Sequence, residues 1–269
     1  MGALCPIEAG AAGSRCATCA KRGRAGPIVT AMSAHFEELG WQLTDMGEIS
    51  LRRRFDPTAR IEVFEVKLGD EYLMSSLFTV AERELARLGL ARTRGGDLEV
   101  IVGGLGLGYT AQEALRDSRI RSLTVVEYSD AVIDWHSRDL LPDTVGLAAD
   151  SRVALVRADF FAAAAGTVGF DPERPGRTYD AILLDIDHSP RHVLHHPHTA
   201  FYTRDGLRAL ANFLAPQGTF ALWSDDAPDE EFLSVLETVF TDVAAEQVPF
   251  DNPLTRGRST NTIYLATRS

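Results

Sequence analysis

The sequence predicts an α/β protein with a doubly wound, Rossmann-like parallel sheet and a small antiparallel β region ahead of it. Three observations predict it. The stretch Leu98-Glu-Val-Ile-Val-Gly-Gly-Leu-Gly-Leu-Gly-Tyr109 is an apolar strand that breaks on four glycines within six residues and opens a helix. Near-continuous apolar strands then alternate with helical spacing, which means a parallel sheet covered on both faces. Four successive strands end in or beside a carboxylate, at Glu127, Asp159, Asp185 and Asp225. Ligands of such sheets bind outside the carboxyl ends of the strands.

The elements follow in order. Trp41 to Thr44, Ile49 to Arg53, Ile61 to Val66 and Tyr72 to Met74 have strand patterning, with Leu68 to Glu71 as a turn. Phe78 to Leu90 has helical spacing, with Thr79 and Glu82 in the positions of a capping box. After the glycine stretch, Thr110, Ala111, Ala114 and Leu115 mark a helix, and Ser122 to Val126 a second strand. Ala131 to Leu141 is a helix stopped by Pro142. Arg152 to Arg157 and Tyr179 to Leu184 are strands, and the second is almost wholly apolar. Leu207 to Leu214 is a helix closed by the turn Pro216-Gln-Gly218, before a strand from Thr219 to Trp223. Glu230 to Phe240 is the next helix, and Ala244 to Val248 and Thr262 to Ala266 pair as two final antiparallel strands. This divides the chain into an extension over 1–31, an N-terminal β region and helix over 32–92, and a nucleoside-binding domain over 93–269.

Composition narrows the function classes. The chain has 269 residues, is 45% hydrophobic and 24% charged, and carries a net charge of −11. That balance argues against a broad phosphate-binding face, so nucleic acid is not an expected partner. No apolar run approaches the ~20 residues of a membrane span, so no membrane partner is expected. The cysteines, Cys5, Cys16 and Cys19, all fall in the first 20 residues, so the rest of the chain offers no thiol nucleophile. Cys16-x-x-Cys19 has half of a zinc-site spacing, with no fourth ligand evident nearby. Residues 1–31 are rich in Ala and Gly, lack an apolar signal region and read as disordered. A cytoplasmic location is the expectation.

The glycines let a ligand approach backbone where a Cβ would clash. Their spacing is Gly104-x-Gly106-x-Gly108, with Tyr109 where the third glycine of a dinucleotide fingerprint would fall. Glycine-rich strand-to-helix turns also occur for packing alone. Glu127 lies a little over 20 residues past the loop, where a carboxylate can accept both ribose hydroxyls. Asp159 and Phe160 could offer an acceptor to an adenine amino group with a ring beside it. Asp185, after the most buried strand, could take a proton from an attacking amine or hold a cationic substrate. A loop hydrogen bond is the plain alternative. Asp187 is the weaker candidate, and Asp225 with Asp226 read as solvated turn acids. His188, His192, His195, His196 and His198 crowd one loop. Their spacing fits no usual zinc motif, so no metal is expected, and a lid lined with titratable groups is the better reading.

These residues resemble the spermidine synthase (polyamine aminopropyltransferase) family over about 41–267. The matching features are Ile61-Glu-Val-Phe-Glu65, Gly103-Gly104-Leu-Gly106-Leu-Gly108, Val126-Glu127, Ala158-Asp159-Phe160, Tyr179-Asp-Ala-Ile-Leu-Leu-Asp185 and Phe201-Tyr202. The resemblance implies a class I methyltransferase fold with an N-terminal β-hairpin region. It implies S-adenosyl-L-methionine, or its decarboxylated form, on the glycines, with Glu127 at the ribose and Asp159 at the adenine. Asp185 would act on the amine and Tyr202 would line the acceptor pocket. Three departures bear on the reaction. The family's loop reads G-G-G-D-G-G, and its aspartate binds the amino group of the decarboxylated cofactor; here Gly106 stands there. The family's Tyr-His pair is replaced around Val80 to Glu84 by Val-Ala-Glu-Arg-Glu. Its D-S-S/T-D-P becomes Asp185-Ile-Asp-His188, losing the second aspartate. The expectation is alkyl transfer to a small amine, methyl transfer ahead of aminopropyl transfer, with a non-catalytic nucleoside-binding relative as the third reading. A homodimer is left open.

Overall fold

A computed structural model describes residues 36–269. The expected extension over 1–31 and its cysteines lie outside the described residues. An antiparallel meander comes first, formed by β1 (Phe36–Thr44), β2 (Gly47–Asp56), β3 (Ile61–Leu68) and β4 (Glu71–Ser75). Helix α1 (Val80–Arg92) leads into a second sheet. Its strands are β5 (Leu98–Gly103), β6 (Ile120–Glu127), β7 (Val153–Arg157), β8 (Tyr179–Leu184), β9 (Leu214–Ser224), β10 (Thr241–Asn252) and β11 (Gly257–Thr267). The helices between them are α2 (Tyr109–Ala114), α3 (Asp130–Ser137), α4 (Phe160–Ala165), α5 (Arg204–Ala211) and α6 (Glu230–Glu237).

The strand order is β10-β11-β9-β8-β5-β6-β7. The run β9-β8-β5-β6-β7 is parallel, and β11 is antiparallel to both of its neighbours. The mostly parallel sheet with a small antiparallel sheet before it is the architecture the sequence predicts. Its physical origin is visible in β5. Val100 and Val102 fall in one hydrophobic cluster and Ile101 in the other, so successive residues bury against opposite layers. Ala181 and Leu183 of β8 divide from Ile182 and Leu184 in the same way. Helices α1, α2 and α3 cover the first face, together with Ile49, Leu51, Phe64 and Val66 of the meander. Helices α4, α5 and α6 cover the second. The chain reverses its direction of winding between β5 and β8, so the crevice for a ligand opens where those two strands end.

Three local expectations are corrected. Thr79 precedes α1 but its side chain makes no capping hydrogen bond, so no capping box with Glu82 exists. Leu214 begins β9 and does not end α5. The segment around Pro216 and Gly218 is an irregularity inside that strand, with Gln217 at φ +63°. Helix α3 stops at Ser137, and Pro142 starts a separate 3-10 turn. The short α4, which the sequence reading omitted, is capped by Asp159.

Candidate active site

The loop after β5 is shaped by its neighbours. Gly104 has φ +91°, and a Cβ there would lie 2.2 Å from the Asp185 carbonyl oxygen. The end of β8 therefore rests directly on the loop, a contact only glycine allows. Gly106 has φ +48°, and its Cβ would lie 2.2 Å from Met74 Sδ. Met74 comes from β4, so the meander reaches across to the loop, and the Leu107 N–H donates to Met74 Sδ at 2.8 Å. His136 Nε2 meets the Gly106 carbonyl at 2.9 Å from the other side. Gly103 ends β5, and Gly108 precedes α2.

Glu127 ends β6 and anchors this loop. Its Oε2 accepts the Leu105 N–H at 2.9 Å and its Oε1 the Ser129 N–H at 2.8 Å. Burial raises the Glu127 carboxyl above its ordinary range, while the surrounding backbone N–H groups oppose that. The N–H groups of Gly106 and Tyr128 also face this carboxylate. Asp159 Oδ1 accepts the N–H groups of Phe161 and Ala162, and Oδ2 has no partner among the described residues. Phe160 is buried in the second core at 2% exposure. Its neighbour Phe161, which the sequence reading passed over, also lines the cavity and stacks on His198 with centroids 3.9 Å apart.

A cavity of about 630 Å³ joins these groups, a size suited to a small-molecule site. Gly104, Gly106, Glu127, Asp159, Phe160 and Asp185 all line it. Tyr202 does not. Its hydroxyl is buried and donates to Asp187 Oδ2 at 2.8 Å. Asp187 also accepts from the Leu194 N–H and pairs with His198, so Asp187 and Tyr202 brace the loop after β8 and stay away from the site. The expectation that Tyr202 lines the acceptor pocket is thereby corrected.

Glu82 is the residue the sequence misread. It sits 9% exposed in the first turn of α1 and faces the same cavity as Asp185. The Thr110 hydroxyl donates to Asp185 Oδ2 at 2.7 Å and lies 3.3 Å from the main-chain carbonyl oxygen of Glu82. Burial pushes Asp185 up to about 6, against the Thr110 hydrogen bond. Burial, then the nearby Asp185 charge, pushes Glu82 up to about 8. The two titrate as a pair, and burial raises both carboxyls. Both folded values lie above the ordinary carboxylate values of 3.8 and 4.5. The stability this lends is therefore complete below those ordinary values, and it is lost as pH rises through about 6 and about 8. Glu82→Gln is expected to raise the melting temperature at pH about 9 and to change it little at about pH 4. Parallel wild-type and variant curves across that range would show that the pair does not couple to folding.

The histidine loop is held by carboxylates. His188 Nε2 meets Glu71 Oε1 at 3.0 Å, and His192 Nδ1 meets Asp226 Oδ2 at 2.9 Å. Among the described residues, no group of three or more His, Cys, Asp or Glu side chains could hold a metal ion. EDTA is expected to leave activity intact. Loss of activity restored by one divalent metal would make this loop a metal site.

No protein-family model matches the chain, and no curated protein matches it by sequence. Solved structures do match it in shape. A spermidine synthase in complex with the transition-state analogue AdoDATO superposes with TM-score 0.63 over 86% of this chain and 72% of that chain, at 15% identity. Spermidine synthase from Thermotoga maritima gives the same values. Human methyltransferase-like protein 13 in complex with SAH has TM-score 0.54 and 20% identity, covering 70% of this chain and 82% of that chain. The likeness is one of fold: the chain shares the architecture of these spermidine synthase and methyltransferase-like structures. In that architecture the site described above lies at the switch point between β5 and β8. Among the described residues, no helix is long and apolar enough to cross a membrane.

Proposed function

We propose that the chain is an S-adenosylmethionine-type alkyl transferase whose acceptor is a small amine. The observation that carries this reading is the Glu82–Asp185 pair, placed beside the Gly104 turn in a cavity lined by further carboxylates and, among the described residues, by no lysine or arginine. Such a cavity favours cations, and both a sulfonium and an ammonium are cations. Glu127 and the Oδ2 of Asp159, the latter unpartnered among the described residues, are both in the lining of the cavity and are acceptors suited to a nucleoside. The bound sulfonium would supply an activated carbon. Glu82 would help to orient the amine, and Asp185 would take its proton as nitrogen bonds to that carbon and the carbon–sulfur bond breaks. Burial raises the Asp185 carboxyl above its ordinary range, which makes its carboxylate a stronger base for this work.

Methyl transfer is the first reading. Met74, an apolar thioether, occupies the space beside Gly106 where an aspartate for an aminopropyl ammonium would project. Glu82 favours aminopropyl transfer as the second reading, because it supplies a carboxyl to the same cavity. Calorimetry with the two cofactor forms separates them. S-adenosylmethionine is expected to bind at least as tightly as its decarboxylated form. A preference of ten-fold or more for the decarboxylated form would put aminopropyl transfer first. Gly106→Asp is expected to shift preference toward the decarboxylated form only in a Met74→Ala background, since Met74 fills the space a side chain needs.

A further inference from the structure

The cavity continues past the carboxylate pair, and its character changes there. Phe78 lies one turn before Glu82 on the segment entering α1. Phe250 of β10 packs against it, with ring centroids 5.8 Å apart at 51°. Leu184 of β8 pairs with Leu222 of β9, so Trp223 is carried alongside Asp185. Ile49 and Leu68 of the meander complete this end. Trp223 Nε1 is shielded from solvent and has no hydrogen-bond partner among the described residues. The end next to the acidic pair is therefore aromatic and aliphatic, with one unused donor.

A linear diamine needs a second carboxylate at the far end of its chain. Asp225 follows Trp223 and Ser224 and lines the cavity, but its Oδ2 already lies 3.8 Å from His188 Nδ1. The same imidazole contacts Glu71 of β4 through Nε2. A distal ammonium at Asp225 would share that carboxylate with the His188 imidazole. Asp45, in the turn between β1 and β2, is the other acid on this side of the cavity. An aromatic ring needs no second carboxylate: it gains burial against Phe78, Trp223 and Phe250 and stacks by the geometry such rings adopt.

We propose that the acceptor is a monoamine carrying an aromatic or comparably bulky apolar body, with its nitrogen at Glu82 and Asp185 and its body against Phe78, Trp223 and Phe250. This rests on the amine-transfer reading. It differs from a polyamine acceptor in requiring one charged end and one apolar end.

The test is calorimetric titration of the full chain with phenethylamine, tryptamine, putrescine and 2-phenylethanol, each with and without S-adenosylhomocysteine. Phenethylamine is expected to bind at least ten-fold more tightly than putrescine and than the uncharged alcohol. Phe78→Ala and Phe250→Ala, both at partly exposed positions, are expected to reduce the preference over putrescine to below about three-fold while leaving S-adenosylhomocysteine affinity unchanged. Putrescine binding as tightly as phenethylamine would overturn the inference, with Asp45 or Asp225 as the second anchor, and would leave amine transfer standing. Alcohol binding as tightly as phenethylamine, or no binding of either aromatic amine, would also overturn it. Failure of S-adenosylhomocysteine to bind, with the aromatic-amine preference intact, would sink the transferase reading and the acceptor role with it, and would leave an aromatic-amine binding site.

Discussion

Asp185→Asn is expected to lower turnover by roughly 10²–10⁴-fold, the range for loss of a general base. The asparagine keeps the shape of the side chain and can still accept the Thr110 hydroxyl that Asp185 accepts at 2.7 Å. It cannot take a proton. Sulfonium affinity should therefore stay nearly constant while kcat falls, the pattern of a group that acts on the acceptor. The variant also removes the charge that helps to push Glu82 up, so Glu82 should ionise at lower pH and keep some attraction for an ammonium. The measurement is single-turnover rate beside cofactor affinity. An unchanged rate would remove Asp185 from the chemistry, and a fall confined to affinity would reassign it to cofactor binding.

Glu127→Ala is expected to weaken nucleoside binding by ~1.5–3 kcal/mol, roughly ten- to a hundred-fold, as for hydrogen bonds to a charged group. A second cost follows from the structure. The Leu105 and Ser129 N–H groups both donate to this carboxylate, and alanine leaves them without it. Each unsatisfied buried donor costs ~1–3 kcal/mol, so the melting temperature should fall as well. Glu127→Gln separates the two effects, because its carbonyl oxygen still accepts one of these N–H groups. Calorimetry for affinity and thermal unfolding for stability check the pair of variants. Unchanged affinity in Glu127→Ala would sink the ribose assignment whatever happens to stability.

The positions that sequence reasoning reached share a property. Glu127, Asp159 and Asp185 sit at strand ends, and strand ends are marked by the switch from apolar residues to glycine or carboxylate. Parallel-sheet topology then converts sequence position into spatial position, because all such ends face one crevice. Glu82 lacks that marking. It lies three residues after a threonine and before an apolar helix, which is equally the pattern of a cap. Only the packing of α1 against α2, β8 and β9 turns it toward the cavity. Met74 was invisible for a similar reason, since nothing local says that β4 meets the glycine loop. Tyr202 shows the opposite failure. A tyrosine near a site looks available, but Asp187 takes its hydroxyl and the surrounding aromatic cluster buries it.

The sequence by itself determined the order of the strands and of every helix but α4, the two-faced burial of the central strands, and the row of acids at their carboxyl ends. These follow from the local periodicity of apolar residues and from glycine, which act over a few neighbours along the chain. The tertiary structure alone decided the partnership of Glu82 with Asp185, the contact of Met74 with Gly106, and the aromatic end built from Phe78, Trp223 and Phe250. Those residues come from separate elements far apart in sequence. Their protonation and contacts depend on burial and on neighbours that chain order does not specify, because charge and packing act through space.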